Sequence, residues 1–242
     1  MNLIVDVGNT YIKLAVFNDN VLQAKVAMEH EQFETELEYF LAAQPAIDHA
    51  IVSSVGGMTE TQLELLRSRV PVFELSHEAK LPFYNQYATP TTLGVDRIAL
   101  VSAAAEQYPD TNVLVIDAGS CITYDFLTDQ NTYLGGAIAP GIEMRYKAMN
   151  TFTANLPLLE STLPDNLVGD STAKSMHVGV IQGVINEIDG FIEHYIEKFG
   201  NLTVILTGGD THFLRDSIKN DIFANSNFLL EGLNYILEIN KD

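Results

Sequence analysis

Two apolar runs, Leu3 to Val5 and Leu14 to Phe17, are separated by the polar-rich stretch Asp6-Val-Gly-Asn-Thr-Tyr-Ile-Lys13. That pattern reads as a strand turned straight back into a second strand. Asn18-Asp-Asn20 supplies another turn of the kind hairpins favour, so residues 3–26 form a meander of short strands. Phe33, Leu37, Phe40 and Leu41 then recur at helical spacing, and the segment ends near Pro45. An apolar strand from Ala50 to Val55 follows, then Gly56-Gly57, a helix carrying Leu63, Leu65 and Leu66, and a strand from Val70 to Leu75. Strands first, then helix and strand in alternation, argue for an α/β fold. Residues 77–93, with Pro82 and Pro90, read as irregular before a helix from about Val95 to Tyr108.

At Val113 the opening pattern returns. Leu114-Val-Ile-Asp117-Ala-Gly119-Ser-Cys repeats the strand, carboxylate, glycine and small polar residue of Leu3-Ile-Val-Asp6-Val-Gly8-Asn-Thr. It also leads through Thr128-Asp-Gln-Asn131 into a further turn. A repeated supersecondary unit implies two related lobes facing one another, residues 1–112 and 113–242. Gly135 to Gly141 reads as a loop before a helix containing Met144, Ala148 and Met149. A long amphipathic helix spans about Thr172 to Phe199, with Met176, Val180, Val184, Ile188, Phe191 and Tyr195 on one stripe and Gly200 placed to stop it. Leu202 to Leu206 is a buried-type strand running into Thr207-Gly-Gly-Asp210 and a short helix, and a last helix spans about Phe228 to Ile239.

Composition narrows the function classes. Among 242 residues, 32 acidic against 13 basic give a formal charge of -19, without a basic tract to track a phosphate backbone, which argues against nucleic acid as a partner. An anionic substrate must then be drawn in by a few local positive groups beside glycine-rich turns. No apolar stretch approaches membrane-spanning length. The start lacks a basic region and reaches a charge after three apolar residues, so no signal peptide is expected. The single cysteine, Cys121, cannot form an intrachain disulfide, which suits a reducing cytoplasm.

The chemistry concentrates at the turns. Gly8 is expected at the reversal because a residue without Cβ takes positive φ cheaply and admits other atoms to the backbone. Backbone N–H groups, a hydroxyl and Lys13 around it are what phosphate oxygens bind, and the strand-end carboxylate Asp6 can hold a metal ion or its waters. Asp117 with Gly119 offers a second such turn, and Gly208-Gly209 a third, able to admit a flat base close to the backbone.

Two opposed turns of this kind resemble the actin, hexokinase and Hsp70 ATPase superfamily. The resemblance implies two RNase H-like lobes with mixed sheets flanked by helices. Asp6-Val-Gly-Asn-Thr with Lys13, Gly94-Val-Asp-Arg97, Asp117-Ala-Gly-Ser and Thr207-Gly-Gly, in order and suitably spaced, resemble the narrower type III pantothenate kinase family. Membership implies ATP-dependent phosphorylation of pantothenate at its primary hydroxyl, opening coenzyme A synthesis. It also implies a homodimer, magnesium with ATP, and a monovalent cation, potassium or ammonium.

On that resemblance Asp6, Val7, Gly8, Asn9, Thr10, Tyr11, Ile12 and Lys13 cradle the nucleotide phosphates, and Asp6 also engages the magnesium shell. Asp96 matches the general base that takes the hydroxyl proton. Arg97 offers a planar fork to the substrate carboxylate, with Tyr87, Gly94, Val95 and Thr172 at further substrate positions. Asp117 matches the monovalent-cation ligand, and Ser120, Gly208 and Gly209 meet ATP; serine replaces the commoner threonine at 120, keeping the oxygen and losing the methyl. Thr123 and Asp125 support the geometry of the second turn, whereas His77, His177 and Cys121 receive no role. Two other readings compete: a non-catalytic ATP-binding regulator of the same fold, and a small-molecule kinase for another acceptor.

Overall fold

The computed structural model describes residues 1–241. The chain divides into two units, one of residues 1–109, 130–134 and 227–242, the other of residues 110–129 and 135–226.

The first unit is built on a five-stranded sheet in the order β3-β2-β1-β4-β5, comprising β1 (Asn2–Val7), β2 (Ile12–Asn18), β3 (Val21–Met28), β4 (His49–Ser54) and β5 (Val72–Glu74). β1 runs antiparallel to β2 and parallel to β4. The β2–β3 reversal places Asp19 and Asn20 at φ 47° and 65°, the left-handed pair that a two-residue hairpin turn requires. Because side chains alternate along a strand, β1 serves two faces. Leu3, Val5 and Val7 enter one core with Phe33, Leu37 and Phe40 of α1 (Phe33–Ala43) and Leu66 of α2 (Glu60–Arg67). Asn2, Ile4 and Asp6 look the other way. On that face Asn2 donates at 2.7 Å to Asn234, which belongs to the C-terminal helix Phe228–Asn240.

That helix, the eighth α-helix of the chain, packs on α3 (Val95–Gln107). Its Gly232 makes the close approach: a Cβ there would lie 1.9 Å from the Ala99 carbonyl oxygen. The remaining first-unit strand, β6 (Tyr84–Asn85), pairs in parallel with Thr132 and Tyr133.

The second unit repeats the hairpin. β7 (Val113–Ala118) lies antiparallel to β8 (Cys121–Leu127) and parallel to β10 (Thr203–Thr207), which in turn pairs in parallel with β11 (Phe223–Ala224). Leu114, Ile116 and Ala118 face a core with Tyr124 and Phe126 and the helical stripe Met176, Val180, Val184 and Ile188. Tyr124 stacks on Phe191 and Phe126 on Phe199, with centroids 4.1 and 4.2 Å apart. The long helix is continuous from α5 (Thr172–His177) through a π-helical turn (Val178–Gln182) into α6 (Gly183–Phe199), and Gly200, at φ 80°, ends it as expected. The short helix after the glycine pair is α7 (Thr211–Leu214).

Residues 135–140 depart from the sequence reading. They are not a loop but the end of β9 (Thr132–Pro140), which neighbours β8 and leads into α4 (Ile142–Phe152). The glycines that suggested a loop serve close packing: a Cβ on Gly136 would lie 1.5 Å from the Tyr124 carbonyl oxygen. Among the described residues no helix is long and apolar enough to cross a membrane.

Two helical glycines give opposite expectations. Gly232→Ala should destabilise by about 1–3 kcal/mol, since overpacking forces backbone to move. Gly190→Ala on α6, where an added Cβ meets nothing within 4 Å, should stabilise by up to roughly 1 kcal/mol through helix propensity. Thermal melts of the two variants should move in opposite directions, by roughly 3–10 °C downward and a few degrees upward.

Candidate active site

In the first unit Asp6 ends β1 with Lys13 of β2 and Ser53 of β4 as its cross-strand neighbours. Lys13 Nζ lies 3.5 Å from Asp6 Oδ2, with Asp6 buried and the lysine half exposed. Burial pushes the Asp6 carboxyl above its ordinary range, and the Lys13 ammonium pulls it back only in part. The charge of Asp96 pushes it further up, so the fold brings Asp96, on the first turn of α3, within electrostatic reach of Asp6.

Backbone contacts hold the turn after β1. Gly8 N–H donates to the Tyr11 carbonyl at 3.0 Å, while Val55 N–H and Gly56 N–H both donate to Val7 at 3.0 Å. Gly8 does not take positive φ; the demand on it is steric, because a Cβ would lie 3.1 Å from the Tyr11 carbonyl oxygen. Gly56 is the tighter point: its Cβ would stand 2.0 Å from the Gly8 carbonyl oxygen. Asn9, Thr10 and Tyr11 are left exposed and line a cavity of about 470 Å³ together with residues 29–31 and Gly56.

Gly94 is the N-cap of α3, and it too is a glycine for space: a Cβ would meet the Asp96 carboxylate at 2.3 Å. Asp96 Oδ1 accepts from Arg97 N–H at 2.8 Å. Arg97 is buried with its guanidinium 5.7 Å from the centre of the Tyr87 ring, which stacks on Tyr133. Tyr87, Gly94, Asp96 and Arg97 thus form one group, and His77, which received no role, supports it by donating to the Leu93 carbonyl at 2.8 Å.

In the second unit Asp117 ends β7 between Thr123 of β8 and Thr207 of β10. Gly119 N–H donates to the Cys121 carbonyl at 2.9 Å, closing a turn one residue tighter than the bond from Gly8 to Tyr11. Gly141 crowds the Gly119 carbonyl oxygen, its Cβ position 2.0 Å away, as Gly56 crowds Gly8. Ser120 is exposed on this turn. Gly208, at φ 94°, passes so close that its Cβ would lie 2.4 Å from Asp117 Oδ1. Asp210 N–H fixes this passage by donating to the Ala118 carbonyl at 2.9 Å, and burial raises the Asp210 carboxyl above its usual range. Thr123 Oγ1 is buried without a hydrogen-bond partner. One carboxylate among hydroxyl and carbonyl oxygens is a donor set for a hard cation of low charge.

Thr172 is the first residue of α5, and Ser171 caps the helix, accepting from Lys174 N–H at 3.3 Å. The exposed Thr172 lines a separate cavity of about 570 Å³ in this unit with Met149, Leu156, Asp170 and Met176. Among the described residues no three His, Cys, Asp or Glu side chains cluster to hold a metal ion. A divalent ion at Asp6 would therefore take its other ligands from nucleotide oxygens and water. Sequence reasoning gave no site role to Gly56, Gly141, Asp210 or His30. The dipeptide Gly56-Gly57 was the one signal for the first of these.

The family sequence model described as type III pantothenate kinase matches residues 2–194. A relative named type III pantothenate kinase from Christiangramia forsetii is 51% identical over 241 residues, covering 100% of this chain and 99% of its own. One of the same name from Bacteroides fragilis is 42% identical over 244 residues, covering 100% and 99%. Among solved structures, a Campylobacter jejuni protein provisionally described as a Baf family transcriptional activator superposes with a TM-score of 0.62 at 24% identity, covering 98% of each chain. A Streptomyces griseus ROK family glucokinase superposes with a TM-score of 0.54 at 11% identity, covering 99% and 98%. These two likenesses show a shared fold, here two mixed sheets flanked by helices. The full-length relatives and the family match, on a chain that carries both strand-end acids and the Gly94 to Arg97 group, establish that it belongs to the type III pantothenate kinase family.

Proposed function

We propose that this chain transfers the γ-phosphoryl group of ATP to the primary hydroxyl of pantothenate, giving 4'-phosphopantothenate and ADP. The observation that carries this reading is the joint placement of Asp6, Lys13 and Asp96 in the first unit, a phosphate-type turn with a second carboxylate in electrostatic reach. In the transfer the hydroxyl oxygen bonds to the γ-phosphorus, the bond to the β–γ bridging oxygen breaks, and ADP leaves with that electron pair. Asp96 accepts the hydroxyl proton. Residues 6–13 hold the phosphates, Lys13 offsets their charge, and Asp6 orients waters or oxygens around the magnesium that arrives with ATP.

Arg97, steadied over Tyr87, takes the substrate carboxylate, while Gly94 and Val95 shape its surroundings and Thr172 contacts substrate. Ser120, Gly208 and Gly209 contact the nucleotide. Asp117 holds a monovalent cation, potassium or ammonium, a role supported by the unpartnered Thr123 hydroxyl beside it. A homodimer is supported by apolar side chains exposed on the second unit, among them Ile138, Phe152, Leu167 and Val168. A cytoplasmic location accords with the ATP requirement and the single cysteine. The two working lobes of this reading are residues 1–112 and 113–242.

Asp96→Asn keeps the shape and a possible contact to the hydroxyl but cannot accept its proton. Turnover of pantothenate should fall roughly 10²- to 10⁴-fold with the nucleotide KM nearly unchanged. Steady-state kinetics decides it, and a rate within a factor of about three of the unmodified chain would remove Asp96 from the role.

The cation at Asp117 gives a separate expectation. Activity should depend on potassium or ammonium with magnesium saturating and be poor in sodium, because a site of several oxygens sized for a larger ion loses contacts to a smaller one. Asp117→Asn should weaken that activation and raise the ATP KM together. Titrating potassium chloride against sodium chloride at fixed ionic strength separates this from screening. Equal rates in the two salts, or an unchanged potassium response in the variant, would return Asp117 to a structural role.

A further inference from the structure

His30 lies outside every motif that pointed to the site, yet its ring reaches the centre of the phosphate turn. His30 Nε2 is 3.0 Å from the Gly8 carbonyl oxygen. A carbonyl oxygen only accepts, so Nε2 carries the proton. The ring is a fixed prop because its backbone is tied on two sides. It opens the 3₁₀ turn His30–Gln32, whose start is closed by Glu29 N–H donating to Gln32 Oε1 at 3.1 Å. Gln62 Nε2 on α2 donates to the His30 carbonyl at 3.4 Å.

The bond has a geometric consequence. In a trans peptide the carbonyl and the following N–H point in opposite directions, and no cis peptide occurs among the described residues. Holding the Gly8 carbonyl toward His30 therefore holds the Asn9 N–H away from it. Gly56, whose Cβ position is 2.0 Å from the Gly8 oxygen and 3.0 Å from the Asn9 nitrogen, blocks rotation of the same peptide from the β4 side. His30 and Asn9 both line the cavity beside the turn.

We infer that His30 is a positioning residue for the nucleotide: by fixing the Gly8–Asn9 peptide it keeps a backbone N–H directed for a phosphate oxygen. This rests on the reading of residues 6–13 as the phosphate turn. A bare glycine peptide would otherwise sample other orientations, and the nucleotide would have to select among them.

The test compares His30→Ala, His30→Asn and His30→Gln. A glutamine amide nitrogen reaches about where imidazole Nε2 stands, whereas an asparagine amide reaches only the Nδ1 position, so two polar substitutions of similar bulk differ in the one bond at issue. Binding of the non-hydrolysable ATP analogue AMP-PNP with magnesium is read by calorimetry, and both KM values by kinetics. Alanine and asparagine should each raise the AMP-PNP Kd and ATP KM by about 5- to 20-fold, the loss of roughly one hydrogen bond, with pantothenate KM unchanged. Glutamine should return both to within about twofold. An unchanged Kd in the alanine variant would overturn the inference, as would glutamine binding no better than asparagine or a parallel rise in pantothenate KM. If alanine fails to fold, the asparagine and glutamine pair decides alone. Failure of the unmodified chain to bind AMP-PNP would instead overturn the phosphate-turn reading, and this inference with it.

Discussion

A carboxylate with almost no exposed surface ends the central strand of the first sheet, and much of the unit is arranged around what that costs. Asp6 faces away from the core that Leu3, Val5 and Val7 build with α1, because strand periodicity leaves it on the face shared with Asn2 and Ile4. Burying an ionised acid is unfavourable unless partners offset the lost hydration. Lys13 supplies part of the offset across the hairpin, but it is half exposed at 3.5 Å, and Asp96 works against it. The carboxyl is therefore pushed up rather than down. An acid held at such cost beside a turn with exposed residues accords with the proposed binding of phosphate and its cation there.

The second unit repeats this frame with different chemistry in it. Each strand-end acid has an antiparallel neighbour on one side and a parallel one on the other. The row reads Lys13, Asp6, Ser53 in the first sheet and Thr123, Asp117, Thr207 in the second. Where the first row carries an ammonium, the second carries a hydroxyl. The monovalent cation proposed at Asp117 would sit beside these hydroxyl-bearing neighbours. The turns themselves share a device: a glycine from a neighbouring loop, Gly56 or Gly141, presses on the turn carbonyl.

Most of the fold was legible because its signals are local. The paired hairpins, the helices at 33–43 and 95–107 and the stripe of the long helix follow from periodicity and turn residues. Gly135 to Pro140 misled because glycine marks both loops and close strand packing, and only the position of Tyr124 distinguishes them. The attachment of residues 228–240 to α3 was invisible for a similar reason: it depends on Gly232 meeting Ala99, a contact across more than half the chain. At the site, acids and glycines in ordered motifs could be read directly. Gly141 and His30 could not, since each acts on the backbone of a distant turn and carries no pattern of its own, and for Gly56 the glycine pair with Gly57 marked a turn but not the turn it presses on.

The most direct measurement is the pH dependence of thermal stability in Asp6→Asn, with and without AMP-PNP and magnesium. A carboxyl whose pKa is raised by folding costs nothing below its unfolded value near 4, where both states are protonated, and its cost grows as pH rises through the folded value. The variant without nucleotide should therefore melt like the unmodified chain at low pH and several degrees higher at neutral pH. It should lose most of the stabilisation that AMP-PNP with magnesium gives the unmodified chain. A variant less stable at neutral pH, or one still stabilised fully by the nucleotide, would contradict the role given to Asp6.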